Sequence, residues 1–199
     1  MTRLASAVCT TLLAAALGVV LVVAPVQAQV TTTVTTNTYP VPGTTAKSIV
    51  RFMQGHPIRG DHGSAFANIR PRYTLSVKSA VKSATCRATE VGVKIHFTLT
   101  VPEATQTKQM SSRVRSAWNS FSRFIRDHED YHRRSYVGCA NSFVRQARRE
   151  TAKSCFAVES AIRRVFDKSK RDCEAKQLAW DKTQKGRLKG QTLVRMAGY

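Results

Sequence analysis

Hydrophobic and polar residues alternate along two segments in the first half of the chain. In residues 91–101, VGVKIHFTLTV, every second residue is apolar, and residues 73–79, YTLSVKS, show a shorter alternation. Side chains of a β-strand point alternately to opposite faces, so each segment predicts a strand with one buried face. We therefore expect an antiparallel pair of strands, separated by a polar stretch that contains Cys86, with Pro102 ending the second strand.

The pattern changes to helical spacing from about Thr107 onward. The clearest apolar stripe has spacings of three and four residues and consists of Trp118, Phe121, Ile125, His128 and His132. Residues at these spacings share one face of an α-helix, so both histidines are expected to continue the stripe. The order of the patterns predicts an α+β fold, in which a small N-terminal antiparallel sheet is followed by a C-terminal helical part.

The chain after residue 28 divides into a leader and one domain. Residues 29–38, QVTTTVTTNT, form a threonine-rich leader that is either a flexible tail or an edge strand. Residues 39–199 are expected to form a single α+β domain of ordinary size. This domain is predicted to be mainly β over residues 39–104 and mainly helical over residues 105–199.

Residues 1–28 have the composition of a secretory signal peptide. A basic residue near the N-terminus is followed by the apolar run LLAAALGVVLVVA, and then by Pro25 and the small residue Ala28. This order is typical of a cleavable signal, so we expect cleavage near Ala28 and a secreted or periplasmic protein. The alternative is a retained membrane anchor, because the apolar run is nearly long enough to span a bilayer.

The number of cysteines is consistent with an exported protein. The chain beyond the predicted cleavage site keeps Cys86, Cys139, Cys155 and Cys173. An even number of cysteines in an oxidising compartment favours two disulfides over free thiols, and four cysteines allow three pairings. A cysteine metal site is the alternative, although the sequence has no C-x-x-C pair.

The formal net charge of +20 is the strongest compositional signal. It would draw the protein toward anionic surfaces such as lipid headgroups, cell-wall polymers, acidic polypeptides or nucleic acid. The basic residues are scattered along the predicted helices, without the interleaved glycine and aromatic residues of a nucleic-acid module. We therefore expect a solvated cationic surface and no dedicated nucleic-acid site.

Residues 128–132, HEDYH, match the HExxH pattern of zinc sites. Histidines four residues apart project side by side from one helical face and can bind one Zn²⁺ through their imidazole nitrogens. Glu129 lies beside them, where it can take a proton from a zinc-activated water. The alternative is a helix whose histidines extend a hydrophobic stripe and whose glutamate pairs with neighbouring arginines.

Five segments occur in the order found in a known bacterial family. Within residues 39–191 they are YPVPGTTAKSIVRFM, RPRYTLSV, VGVKIHFTLTVP, SAWNSFSRFIRDHEDYH and LAWDKTQKGRLKGQT. The chain thus resembles the predicted secreted zinc-dependent protease family of bacteria, domain of unknown function 922. The resemblance implies a zincin-like fold with Zn²⁺ as cofactor, His128 and His132 as metal ligands, and Glu129 as catalytic general base.

The same resemblance implies a disulfide pairing. Cys86 and Cys155 match positions at which the family carries cysteines, so the resemblance pairs them with each other. Cys139 is then left for Cys173.

One position departs from the family pattern. Lys185 stands where the family's closing motif has a histidine, which the resemblance makes a third zinc ligand. An ammonium group cannot coordinate zinc, so a catalytic site with three protein ligands needs another donor. The downstream acidic residues are the first choices, namely Asp181, Glu150 and Glu159. The remaining histidines of predicted loops and strands are weaker choices, namely His56, His62 and His96.

The expected function is that of an exported zinc-dependent metalloprotease, in which Glu129 activates water on zinc held by His128 and His132. Its partner would be a peptide or protein substrate. The alternative is a catalytically degenerate family member that binds an anionic envelope surface through its positive charge. A structural protein in which HExxH is incidental is the third interpretation.

Overall fold

The computed structural model describes residues 29–60 and 63–199. The predicted signal peptide, residues 1–28, and the weaker ligand choice His62 lie outside this part of the chain. Within residues 29–60 and 63–199, no helix combines the length and the apolar character needed to cross a bilayer.

The described residues form a mixed α/β architecture, with a sheet in the N-terminal part and helices in the C-terminal part. The strands are β1 (Gln29–Val41), β2 (Ile58–Gly60), β3 (Gly63–Ala65), β4 (Asn68–Lys82), β5 (Thr85–Ala104) and β6 (Thr151–Ala152). The helices are α1 (Ala46–Gly55), α2 (Ser112–Ala147), α3 (Cys155–Lys189) and α4 (Thr192–Met196). This order confirms the coarse division into a sheet followed by helices.

The main sheet has β5 at its centre. β4 pairs with β5 in antiparallel orientation, β1 pairs with it in parallel orientation, and the short β6 pairs with its first residues. The predicted antiparallel pair is therefore confirmed as β4 and β5. The alternating apolar positions of β5 point to one face and are buried there, as the period of two requires.

β5 is longer at both ends than the sequence pattern predicts. Cys86 belongs to the strand itself, and the strand runs past Pro102 to Ala104, so the prediction that Pro102 ends it is wrong. The pairing explains the difference. The β4 ladder ends where Asn68 lies opposite Thr100, so at Pro102 the strand has only β1 as a neighbour. Proline, which lacks a backbone N–H, is tolerated where one side of a strand is unpaired.

The threonine-rich segment is an edge strand. β1 pairs with β5 along its whole length, from Gln29 opposite Gly92 to Val41 opposite Ala104. Threonine is β-branched and favours extended backbone, which agrees with this conformation. The strand also runs across the boundary drawn between leader and domain at residues 38 and 39.

Two long helices carry most of the C-terminal part. Ser111 caps α2 by accepting a hydrogen bond from the Val114 N–H, and Ser154 caps α3 by accepting one from the Ala157 N–H. Such caps satisfy backbone donors that the first turn of a helix leaves without a partner. The break between the two helices is short, so they form a hairpin and pack side by side.

The hydrophobic residues form two core clusters. One lies around α1, α4 and the first half of α2, and includes Phe121 and Ile125. The other lies between the sheet and the α2–α3 pair, and includes Phe97, Tyr136 and Phe143. The segment of α2 that joins the two clusters is the segment that carries HEDYH.

Two disulfides cross-link the fold, one between the sheet and α3 and one between the two long helices. Cys86 of β5 is bonded to Cys155 at the start of α3, and Cys139 of α2 is bonded to Cys173 of α3. This is the pairing that the family resemblance implied. The second disulfide fixes the register of α2 against α3 close to HEDYH.

Candidate metal centre

The buried face of α2 continues through HEDYH, where its most buried residues are Glu129 and His132 rather than His128 and His132. Glu129 and His132 are 5% and 6% exposed, whereas the His128 side chain is 20% exposed. Glu129 follows Ile125 by four residues and precedes His132 by three, so all three residues lie on the same face of the helix. The stripe therefore runs through Glu129, with His128 at its margin.

The remaining acidic residue of the motif faces away from this stripe. Asp130 accepts hydrogen bonds from the side chains of Arg133 and Arg134, which lie one turn further along α2. Both arginine side chains are partly exposed. Glu129, in contrast, has no arginine partner among the ion pairs of the described residues, so the pairing with neighbouring arginines applies to Asp130.

α3 brings a third donor to the two histidines. The Nε2 atoms of His128 and His132 lie 3.1 Å apart, and Oδ1 of Asp181 lies 3.2 Å from the first and 2.9 Å from the second. These three atoms form a compact triangle between the antiparallel helices α2 and α3. Within the described residues, this is the cluster of histidine and acidic side chains with metal-ligand proximity.

One corner of this triangle is a buried carboxylate oxygen whose hydrogen bonding depends on the two histidines. Oδ1 of Asp181 is buried, and it receives a hydrogen bond only if one of the two histidines carries a proton on Nε2. A single proton directed at one pair of atoms leaves the third atom without a partner. A divalent cation would satisfy all three lone pairs together.

A buried glutamine orients one of the histidines. Nδ1 of His132 lies 2.9 Å from Oε1 of Gln177, which is 1% exposed and lies one helical turn before Asp181 on α3. This contact holds the imidazole ring in place, with Nε2 on the side of the triangle.

Two aromatic rings pack against the histidines. The ring centroid of Trp180 lies 4.5 Å from that of His128 and 4.9 Å from that of His132. Tyr131 stacks on Trp180 with a centroid distance of 3.8 Å and is 38% exposed, so this pair reaches the surface beside the triangle. Apolar surroundings of this kind lower the local dielectric constant and strengthen electrostatic interactions within the site.

Three ionisable groups of the site have shifted pKa values. Burial raises the pKa of Glu129 to about 7, although His128 and His132 oppose this shift. Burial also opposes ionisation of Asp181, but its contacts with the two histidines outweigh burial and hold the pKa of Asp181 well below the usual range. For His132, burial lowers the pKa, and the hydrogen bonds with Asp181 and Gln177 outweigh it, so the pKa is raised.

The other ligand choices lie away from the triangle. Glu159 accepts a hydrogen bond from Ser79 at 2.8 Å, His96 contacts Thr33 at 2.9 Å, and His56 stacks on Phe52. Glu150 lies in the connection after α2, and Lys185 is exposed one turn beyond Asp181 on α3. Of the acidic choices, the structure brings Asp181 to the histidines.

Sequence reasoning missed Gln177, Trp180 and Tyr131 as parts of the site. Tyr131 lies within the HExxH match, at a position that the pattern leaves free, and Trp180 precedes Asp181 directly. These two neighbours of motif residues could have been suspected. Gln177 had no such signal, because its importance depends on how α3 is aligned against α2.

The comparisons with known proteins give one match. A family model described as "Bacterial protein of unknown function (DUF922)" matches residues 36–188, which is more than half of the chain. No curated protein and no solved structure matches the chain.

Proposed function

Starting from the membership of this chain in the DUF922 family of bacterial proteins, we propose that it is an exported zinc-dependent metallopeptidase of zincin-like type. The observation that carries the proposal is the triangle of His128, His132 and Asp181, beside a buried glutamate on the same helix. In this proposal the metal ligands are these three residues, and the general base is Glu129.

The donor set suits Zn²⁺. Two imidazole nitrogens and one carboxylate oxygen are ligands that catalytic zinc sites use, with a fourth position left for water or substrate. Bond lengths of about 2.1 Å in a tetrahedral arrangement require ligand atoms roughly 3.4 Å apart. The separations of 2.9–3.2 Å between the three donor atoms are close to this value. The side chains would need to move by only a few tenths of an ångström.

Asp181 takes the part that the family pattern gives to a histidine at Lys185. Both residues lie on α3, four positions apart, so they project from the same side of the helix. A carboxylate one turn earlier can therefore approach the same pair of histidines. With Asp181 as the third donor, the site keeps three protein ligands without a histidine at position 185, which argues against loss of the metal in this chain.

Glu129 is suited to move a proton. When bound, Zn²⁺ would supply Lewis-acid activation of water and polarisation of the scissile carbonyl. In the metal-free protein burial raises the pKa of the Glu129 carboxyl to about 7, and a bound cation would favour the ionised form, which can accept a proton from water. A general base or acid works best when its pKa lies near the operating pH. A backbone hydrogen bond from Ile69 of β4 fixes the carboxyl against the sheet.

The compartment and the substrate follow from other features. Two disulfides are typical of exported proteins, which agrees with a secreted or periplasmic location after removal of residues 1–28. A peptide or protein is the substrate class that this site chemistry serves. The net charge of +20 would favour substrates or surroundings that are acidic.

The net charge also supports a second function, a catalytically inactive protein that binds an anionic envelope surface. The metallopeptidase and the surface-binding function can be distinguished by one set of measurements on the purified protein without residues 1–28. Metal analysis should give one zinc per chain in the wild type and in Glu129→Gln, and much less in His128→Ala. Hydrolysis of an unstructured protein such as casein should occur in the wild type and fall by about 10²–10⁴ in Glu129→Gln. Zinc without hydrolysis, together with salt-sensitive retention on anionic polymer, would favour the second function, and absence of zinc would refute the first.

A further inference from the structure

Gln177 is a buried polar residue that the proposed reaction does not use. Its side chain is 1% exposed and lies between α2 and α3, next to apolar residues of the second core cluster. An amide in such a place lowers stability unless its hydrogen bonds are satisfied. A leucine would fill a similar volume there without this requirement, so the contacts of the amide indicate what it contributes.

The amide has three polar contacts, and they fix its orientation. One end lies 2.7 Å from Oγ of Ser135 and 3.5 Å from Sγ of Cys173, and the other end lies 2.9 Å from Nδ1 of His132. Cys173 is in a disulfide, so its sulfur has no hydrogen to donate and can only accept. The end that faces the sulfur is therefore the NH₂ group, and the end that faces His132 is the carbonyl oxygen.

This orientation determines where the proton of His132 lies. A carbonyl oxygen only accepts, so Nδ1 of His132 is the protonated nitrogen and donates to it. In the neutral imidazole the other nitrogen, Nε2, then carries no hydrogen, and its lone pair is directed between Oδ1 of Asp181, at 2.9 Å, and Nε2 of His128, at 3.1 Å. A metal ligand must present a lone pair in this way, and the second ring nitrogen of such a histidine usually donates to an oxygen.

We propose that Gln177 is a positioning residue, held by Ser135 and by the Cys139–Cys173 disulfide, which keeps His132 in the Nδ1–H tautomer and so prepares Nε2 to bind a divalent cation. The inference rests on the proposed function for the identity of the cation, but not for the tautomer. It assigns to the disulfide a part in the metal site, because the sulfur sets the direction of the amide.

Three variants test the inference, with Zn²⁺ affinity measured by competition against a chromophoric chelator. Gln177→Leu removes the acceptor and should weaken zinc binding by about 10–100-fold, the usual effect of losing such a partner. Gln177→Glu keeps an oxygen acceptor and should bind zinc at least as well as the wild type. Gln184→Leu is the matched control, since Gln184 contacts Thr183 and Arg187 on its own helix, and it should leave the affinity unchanged.

A second readout does not depend on the metal. In the metal-free protein labelled with ¹⁵N-histidine, the long-range ¹H–¹⁵N spectrum at pH 8.5 should show His132 as Nδ1–H in the wild type and in Gln177→Glu. Gln177→Leu should shift it toward the Nε2–H tautomer. If Gln177→Leu matches Gln184→Leu in both affinity and tautomer, the inference is wrong.

The two readouts keep the inference separate from the proposed function. If the wild type binds no zinc, the proposed function fails, and the tautomer of His132 in the metal-free protein still decides the inference. If Gln177→Leu does not fold, Gln177→Glu decides it. Nε2–H in Gln177→Glu or in the wild type would overturn the assignment.

Discussion

Glu129 is a buried carboxylic acid with a raised pKa, so the free energy of unfolding of the protein should depend on pH. In the metal-free protein the pKa rises from 4.5 in the unfolded chain to about 7 in the folded one. Between these pH values the folded state keeps a proton that the unfolded state has lost, so the free energy of unfolding falls as the pH rises. The contribution is fully present below pH 4.5 and is lost as the pH passes about 7.

The size of this change in the free energy of unfolding follows from the difference between the two pKa values of Glu129. Each pKa unit corresponds to about 1.4 kcal/mol, so ionisation of Glu129 should destabilise the metal-free protein by about 3 kcal/mol at pH 8. Glu129→Gln has nearly the same size and cannot ionise. The variant should therefore have a similar free energy of unfolding to the wild type near pH 5, and be more stable by about 3 kcal/mol at pH 8.

Urea denaturation followed by circular dichroism, with a chelator present and the disulfides intact, measures the difference at pH 5, 6, 7 and 8. Glu90→Gln is the control, because Glu90 forms an exposed ion pair with Lys78 that should contribute less than about 1 kcal/mol at any of these pH values. Parallel pH curves for the wild type and Glu129→Gln would refute the reasoning. Added zinc should remove the difference, because a cation beside the carboxyl favours its ionised form.

Three further predictions concern the metal centre. Asp181→Asn should weaken zinc binding in a chelator competition assay by at least 10-fold, because a neutral amide is a poor zinc ligand, and Asp181→His should retain the metal. Replacing the Cys139–Cys173 disulfide by two serines should weaken zinc binding more than the same change at the β5 disulfide, since only the former links the two ligand-bearing helices near the site. Zinc should change the tryptophan fluorescence of the wild type and of Trp118→Phe, but not of Trp180→Phe, because the Trp180 ring contacts both histidines. An equal response in Trp180→Phe would place the metal elsewhere.

Much of the fold could be predicted from local periodicity. The alternation in residues 91–101 identified the strand at the centre of the sheet, because a strand buried on one face must repeat every second residue. The stripe that contains Trp118 and Ile125 identified the buried face of α2 for the corresponding helical reason. The end of β5 could not be predicted in this way. Pro102 is tolerated there because β4 starts too late to pair with it, and this register is a property of the sheet rather than of the segment.

The site was predictable only on one of its two helices. HEDYH lies on α2, and its spacing alone places two histidines on one side. The donor from α3 depends on how the two helices are aligned. Asp181, Glu150 and Glu159 are all acidic residues downstream of the motif, and periodicity within either helix does not distinguish them. The alignment is set by packing and by the disulfide that joins the helices one to two turns from the site.

The position of the site between two hydrophobic clusters argues for a function rather than a structural role. Glu129, His132 and Gln177 are the buried polar side chains of the described residues, and they lie where α2 passes from one cluster to the other. Apolar residues of similar volume would usually make such a junction more stable, since buried ionisable groups carry a desolvation penalty. A fold that keeps a carboxyl, an imidazole and an amide there departs from the pattern that stability alone would favour, as binding and catalytic sites do. A cation bound as proposed would offset this penalty, so the stability of the protein and its metal content would be two measures of the same site.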